Sequence, residues 1–296
     1  MNNQNTAKGI LYAFGAYLIW GLAPIYFKQI QYVPPDEIVS HRVIWSVFFM
    51  VLLLTVTRHW RQVSSILKQP KKLLVLGITA FTIASNWLTY IWAVNNNHML
   101  EASLGYFINP LVSVLFAMLF LGERFRLMQW VAVGLAVTGV LIQLWQFGSI
   151  PVIGLYLATT FALYALLRKK LGVDAQTGML IETIWVFPVA LVYLLFFTHT
   201  PTSNMLDNTI SLNLLLVAAG IITTAPLLLF TAAASHLRLS TLGFFQYMAP
   251  TLMFLLATLV YGEKIGSERL ITFGFIWAAL ILFILDALYT QRRLRK

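Results

Sequence analysis

The sequence predicts an all-α membrane protein of ten transmembrane helices, arranged as two inverted-topology repeats of five. Three observations carry this: the composition, the length of the apolar runs, and a self-similarity between the two halves of the chain. Of the 296 residues, 59% are hydrophobic and 10% charged, whereas a water-soluble domain carries about 25% charge, so a soluble fold is excluded. Backbone N–H and C=O groups must be satisfied within the chain inside lipid, which leaves helices or a closed barrel. The apolar runs are continuous over about 20 residues, the length that crosses a hydrocarbon core as a helix, and they lack the short alternating pattern of a barrel strand. Ten such spans use nearly the whole chain and leave no room for a soluble domain.

Taken in order, spans are expected near 9–27, 38–57, 73–94, 100–121, 128–146, 150–167, 178–197, 212–235, 241–261 and 270–289. The first begins at Gly9 with no small-residue cleavage motif, so it is expected to remain in the mature protein. The second follows Pro34 and Pro35, and Asp36 and Glu37 suit the positive end of its dipole. Basic residues then set orientation. With the N-terminus inside, sixteen Lys and Arg fall on the cytoplasmic side, among them Arg58 to Lys72, Arg124, Arg126, Arg168, Lys169 and Lys170. Only Lys28, Lys264 and Arg269 fall outside, and Arg42 lies within a span. This asymmetry places both termini in the cytoplasm and the loop from Thr198 to Ser211 in the periplasm. The net charge of +10 is therefore a topology signal, and no nucleic-acid partner is expected.

The halves resemble each other. Pro110 through Gly122, Glu123 and Arg124 matches Pro250 through Gly262, Glu263 and Lys264, and Ile44-Trp45 recurs as Ile184-Trp185, both at a displacement of 140 residues. Upstream, Leu104 to Phe107 matches Leu242 to Phe245. Five spans per half is an odd number, so the second half enters the membrane upside down relative to the first. The two units are 9–146, helices one to five, and 150–289, helices six to ten.

Ionisable side chains inside spans are costly and mark candidate functional positions. His41, Arg42 and Glu182 are the clearest, and the 140-residue displacement sets Arg42 opposite Glu182. Each lies about 9 Å in from opposite faces of a ~30 Å core, which leaves about 12 Å between them and argues against a direct salt bridge. They read as one charge near each mouth of a central cavity. Arg42 keeps its charge at any accessible pH and suits binding of anionic groups or gating. The alternative is a side chain that snorkels to lipid phosphate. Glu182 can take up a proton inside the membrane and is the only deeply placed acid able to couple transport to a proton gradient. Its alternative is to partner Arg168, Lys169 or Lys170 at the cytoplasmic edge. Asp286 reads as an interface residue beside the terminal basic cluster. Near the midplane lie Trp20, Asn86, Trp87, Tyr106, Asn109 and Tyr164, a polar and aromatic set suited to a pocket for amphipathic solutes, and Gln246 is a further candidate for substrate binding or gating. The repeat-related Pro110 and Pro250 are the expected functional kinks.

No nucleophile elbow, zinc helix, P-loop or dinucleotide fingerprint is present, so an enzyme is not expected. There are no cysteines, and the five histidines (His41, His59, His98, His199 and His236) are dispersed, so no metal site or cofactor is expected.

Several stretches carry a specific resemblance: Ser40 to Ser46, Trp92 to Asn96, His98 to Pro110, Thr177 to Thr183 and Leu239 through Gln246 to Tyr247. From about Gly9 to Arg293 the chain resembles the RarD branch of the EamA family, within the drug/metabolite transporter superfamily. That resemblance implies two five-helix repeats, a bacterial inner-membrane location, and export or exchange of small metabolites or drugs. The expected function is a secondary transporter, or permease, working by alternating access. A flippase or membrane-embedded enzyme for lipid-linked substrates is the alternative. The expected partners are a small-molecule substrate and membrane lipids, with the protein a monomer or weak homodimer.

Overall fold

The computed structural model describes residues 3–96, 98–260, 262 and 267–293. It contains α1 (Asn3–Gln29), α2 (Pro35–Thr57), α3 (Trp60–Leu67), α4 (Pro70–Asn95), α5 (Met99–Leu121), α6 (Leu127–Phe147), α7 (Val152–Leu171), α8 (Ala175–Phe196), α9 (Ile210–His236), α10 (Leu239–Phe245), α11 (Met248–Leu255) and α12 (Ser267–Arg293). A single π-helical turn, Leu256–Val260, follows α11. Nine stretches among the described residues are long and apolar enough to cross a membrane, α10 to the π turn counting as one, and α12 adds an apolar segment from Leu270 to Asp286. The chain is an all-α, multi-pass membrane protein with the ten-helix architecture expected from its sequence.

Two boundaries differ from the expectation in ways that matter. The segment after α2 is not a plain loop: α3 lies there, with Val63 and Ile66 buried and Arg61 exposed. Ile66 packs with Leu76, Val173 and Ile181. Eight residues with one apolar face are too short to register as a span. The other difference is at α7, which runs to Leu171 and so takes Arg168, Lys169 and Lys170 into its last turn. Cations suit that negative end of the helix dipole, but Arg168 is not in a cytoplasmic loop as expected from the charge pattern; it is buried.

Eight spans close a ring. Going round, α1 packs on α9, α9 on α2, α2 on α8, α8 on α4, α4 on α7, α7 on α5, and α5 on α10, while α11 returns to α1. The remaining two, α6 and α12, pair with each other, and Val133, Ala136, Ile276 and Phe283 join Val114 of α5 and Phe244 of α10 in one core. This arrangement maps onto itself when each helix of the first half is exchanged for its counterpart in the second. The halves are therefore interleaved, each span of the ring resting mainly on spans of the other half. Matching local geometry accompanies the matching contacts. Gly122 and Gly262 stand at repeat-related positions after α5 and the π turn, with φ of 63° and 65°, a left-handed conformation that costs glycine least. Glu263 and Lys264, the rest of that second motif, lie outside the described residues.

A charged side chain ties the halves together at one end of the ring. The Glu123 carboxylate accepts hydrogen bonds from the Leu239 N–H at 2.7 Å, the Ser240 N–H at 3.2 Å and the Ser240 hydroxyl. It thereby satisfies orphan donors at the start of α10 and places negative charge where the helix dipole favours it.

Candidate functional site

Inside the ring the two repeat-related charges have separate partner sets. Arg42, on the first turns of α2, donates from Nε to the Thr223 hydroxyl oxygen of α9 at 2.7 Å. Thr223 donates its own proton to the Ala219 carbonyl, so its lone pair is fixed toward the arginine. The guanidinium lies 5.0 Å from the Trp87 ring and 5.6 Å from the Phe27 ring, distances at which an aromatic face attracts a cation. Tyr106, Tyr26 and Tyr90 surround it closely enough to interact electrostatically. Tyr90 and Tyr106 meet edge to face, 6.1 Å apart, and Tyr106 is 41% exposed. These residues come from the end of α1, the start of α2, the end of α4 and the start of α5. These side chains, half-buried apart from the exposed Tyr106, therefore cluster toward the face that carries the α1–α2 and α4–α5 turns.

Glu182 sits deeper and is enclosed. Its Oε1 accepts from the Thr79 hydroxyl at 2.6 Å and lies 3.5 Å from Arg168 Nε, while Oε2 accepts from the Tyr164 hydroxyl at 3.3 Å. Arg168 reaches this position because α8 has no side chain in its way. A Cβ on Gly178, one turn before Glu182, would fall 1.9 Å from Arg168 Nη1 and 2.5 Å from Cζ. Gly178 and Glu182 thus form a slot and a counter-charge on one face of α8. The symmetry extends to the neutral partners: the 140-residue displacement carries Thr79 of α4 to Ala219 of α9, one helical turn before Thr223.

Around Glu182, and between it and Arg42, the ring is filled. Trp20, Phe161 and Phe230 contact one another at 5.2–5.9 Å, Tyr17 leans on Trp20 and Phe230, and Tyr164 stacks on Phe230. Met50, Leu54, Leu180, Leu237 and Leu239 complete this core. Lys169 adds a polar clasp by donating from Nζ to the carbonyls of Ala234 (2.7 Å) and Leu237 at the end of α9. A void of about 20 Å³, space for about one water, separates Trp87 from Glu182, Tyr164 and Thr183. Arg42 is therefore half-buried toward one face, Glu182 is buried within the packed interior, and a surface cavity of about 340 Å³ lined by Glu123, Lys169, Ser235 and Arg238 lies at the other end of the ring.

The remaining expected residues divide clearly. Trp87 and Tyr106 are beside Arg42, whereas Trp20 and Tyr164 belong to the packed aromatic cluster. Asn86 is a strut, donating to the Leu157 carbonyl and the Thr160 hydroxyl, both at 2.8 Å. Asn109 and Gln246 are buried in the seam between α5 and α10, where Gln246 donates to Ser113 at 3.2 Å. The Oδ1 of Asn109 and Oε1 of Gln246 have no hydrogen-bond partner among the described residues. His41 is 1% exposed and neither ring nitrogen has such a partner. Pro110 sits within a continuous α5, but the span holding Pro250 is interrupted at Gln246 and Tyr247. Gln246 is four residues before Pro250, the carbonyl position that a proline ring displaces. Asp286 binds Arg126 at 2.8 Å, joining α12 to α6; the side chains of Arg292 and Arg293 and the residues after them lie outside the described set.

Comparison with known proteins now bears on this arrangement. Residues 7–145 match the model of the EamA-like transporter family. Protein RarD of Salmonella typhimurium is 63% identical over 293 residues, covering 99% of this chain and all of its own. The chain belongs to the RarD branch of the EamA-like transporter family. An uncharacterized transporter of Vibrio cholerae is 54% identical over 295 residues, covering all of this chain and 98% of its own length. A solved structure 19% identical in sequence superposes with a TM-score of 0.75 over 98% of this chain and 99% of its own, which shows a shared fold. The chain is thus a member of a transporter family, and the residues inside its ring are where a solute path has to be sought.

Proposed function

We propose that the protein is a bacterial inner-membrane secondary transporter of small organic metabolites or drugs, moving them through the centre of the ring by alternating access. The observation that carries this reading is the asymmetry between the repeat-related charges: Arg42 is half-buried with no ion-pair partner among the described residues, whereas Glu182 is buried and paired with Arg168. Inverted repeats in unequal conformations are what one half-cycle of such a transporter requires, and exchanging those conformations reverses the open side. The moving units are the two five-helix repeats, 9–146 and 150–289.

With both termini cytoplasmic, the orientation favoured by the basic residues, the Arg42 face is periplasmic and the state is outward-facing. Arg42, with Trp87 and Tyr106, binds solute. Glu182 acts as a gate: with Arg168, Thr79 and Tyr164 it forms a latch that holds α4, α7 and α8 together at the inner side. The Arg168 partner favours this gating role over that of an unpaired, titrating proton carrier.

The chain has no cysteine, so single-cysteine probes need no prior mutagenesis. Leu206→Cys should react with a membrane-impermeant maleimide in intact cells, and Ser64→Cys only after permeabilisation. Tyr106→Cys should be reached from the outside, and Leu180→Cys from the inside at a slower rate that reports transient opening. A Leu180→Cys site reached from the outside together with Tyr106→Cys would indicate a pore and overturn alternating access.

A further inference from the structure

Arg42 is a membrane-embedded cation with no protein counter-charge. Among the described residues no carboxylate pairs with it, and its single hydrogen bond uses Nε, leaving both terminal nitrogens without a protein acceptor. The acids nearest in sequence are committed elsewhere. Asp36 accepts from the Tyr193 hydroxyl at 2.6 Å, and Glu37 accepts from Thr200 and Thr202 through Oε2, its Oε1 being buried with no hydrogen-bond partner among the described residues. Glu182 is neutralised by Arg168 on the far side of Trp87. An uncompensated arginine at this depth is costly, and the aromatic faces of Trp87 and Phe27 offset only part of that cost.

Geometry also limits what can supply the missing charge. Two terminal guanidinium nitrogens side by side present parallel N–H groups that match a planar carboxylate. Tyr26 already donates its proton to the Leu215 carbonyl at 2.7 Å. Tyr90 and Tyr106 bond each other through their hydroxyls, which leaves one of the two protons free to turn toward an anion. The walls beyond them are aromatic. A solute with an ammonium group would need a carboxylate to receive it, and among the described residues no carboxylate is paired with Arg42, while Glu101 on α5 is held by the Ile153 N–H.

We infer that the Arg42 cluster is a binding site for organic monoanions, carboxylates on a planar apolar body, and that it discriminates against zwitterions and cations of the same shape. This rests on the reading of the cluster as the solute site and names the class of solute. The carboxylate takes the paired terminal nitrogens of Arg42, and the ring packs among Trp87, Tyr90 and Tyr106. Desolvation inside the cluster strengthens the pairing with a single negative charge and penalises any accompanying positive one.

The test uses the purified full chain in nanodiscs of phosphatidylcholine, with 3-phenylpropionate, its amide and phenylalanine as matched probes, and indole-3-acetate with its amide as a second body. Calorimetry should give at least tenfold tighter binding for each carboxylate than for its amide or for phenylalanine. Arg42→Gln should abolish that preference, and Tyr106→Phe should weaken carboxylate binding several-fold while leaving the fold intact. Equal binding of acids and amides, absence of carboxylate binding, or a preference that survives Arg42→Gln would each overturn the assignment. A second arm replaces part of the lipid with phosphatidylglycerol. Carboxylate binding that persists there supports a soluble solute, whereas its loss, with phosphatidylglycerol retained by wild type but not by Arg42→Gln, would assign the site to lipid phosphate instead. Cysteine accessibility from both sides is measured without any of these ligands, so alternating access can stand while this assignment fails.

Discussion

Gly178→Ala is the substitution most directly set by the geometry of the Arg168–Glu182 pair. The new methyl carbon would lie 1.9 Å from Arg168 Nη1 and 2.5 Å from both Cζ and Nη2, so the guanidinium has to move by more than an ångström. Burial limits where it can go: the Arg168 side chain is 1% exposed and that of Glu182 3%, although the three guanidinium nitrogens make no hydrogen bond among the described residues, so packing and the charge of Glu182 are what hold it. Overpacking a filled interior costs about 1–3 kcal/mol, and breaking a buried ion pair by displacing one partner costs about 3–5 kcal/mol. Because the same displacement causes both, they do not add fully, and the expected loss is about 3–5 kcal/mol. The assay is thermal unfolding of the purified protein in one fixed detergent. A background in which the pair is replaced, Arg168→Met with Glu182→Leu, removes the side chain that the methyl strikes, and there Gly178→Ala should cost under about 1 kcal/mol. Equal losses in both backgrounds, or no loss in the wild-type background, would refute the slot-and-counter-charge account.

Other expectations follow from the same packing. Glu123→Ala removes three hydrogen bonds at the start of α10 and should lower stability by about 1–2 kcal/mol, read as a fall in melting temperature that Glu123→Gln only partly reproduces. Gly122→Ala forces an L-residue to a φ of 63° with open space around it, so it should cost about 1–2 kcal/mol from backbone strain alone, and Asn at that position should cost less. Asn86→Leu deletes both bonds to α7 and should cost about 1–3 kcal/mol, with faster hydrogen exchange at the adjoining turns of α4 and α7 as the independent readout.

Much of the fold was legible because membrane insertion makes long apolar runs and basic loops nearly sufficient descriptors. The helix number and the broad boundaries follow from them, and the related halves from the residue matches at a displacement of 140. What the runs conceal is interleaving: the ring order arises from side-chain fit between halves, and no periodicity within one helix reports it. The site was legible in part. Arg42 and Glu182 stand out as charges inside spans, and the expectation that they do not pair agrees with their separate partners. Arg168 was legible as one of three basic residues that Glu182 could partner, and the pair with Arg168 is the one formed; its burial was hidden because a basic residue at the end of an apolar run reads as a topology signal. Tyr26, Phe27 and Tyr90 were missed because aromatics near span ends are common at membrane interfaces. Thr79 and Thr223 were missed because threonine in a helix ordinarily bonds its own backbone, as Thr223 also does.

The central claim, that the ring opens at one face only while it is closed at the other, is most directly tested by paired distance measurements between spin labels in lipid nanodiscs. One pair, at Asn96 and Leu206, spans the Arg42 side, and the other, at Ser64 and Ser235, spans the Arg168 side. The account expects two distance populations at each side, with the long distance at one accompanying the short distance at the other, and Glu182→Gln shifting both pairs toward the state open beyond Arg168. A single unchanging distance at both sides, or lengthening at both together, would contradict it.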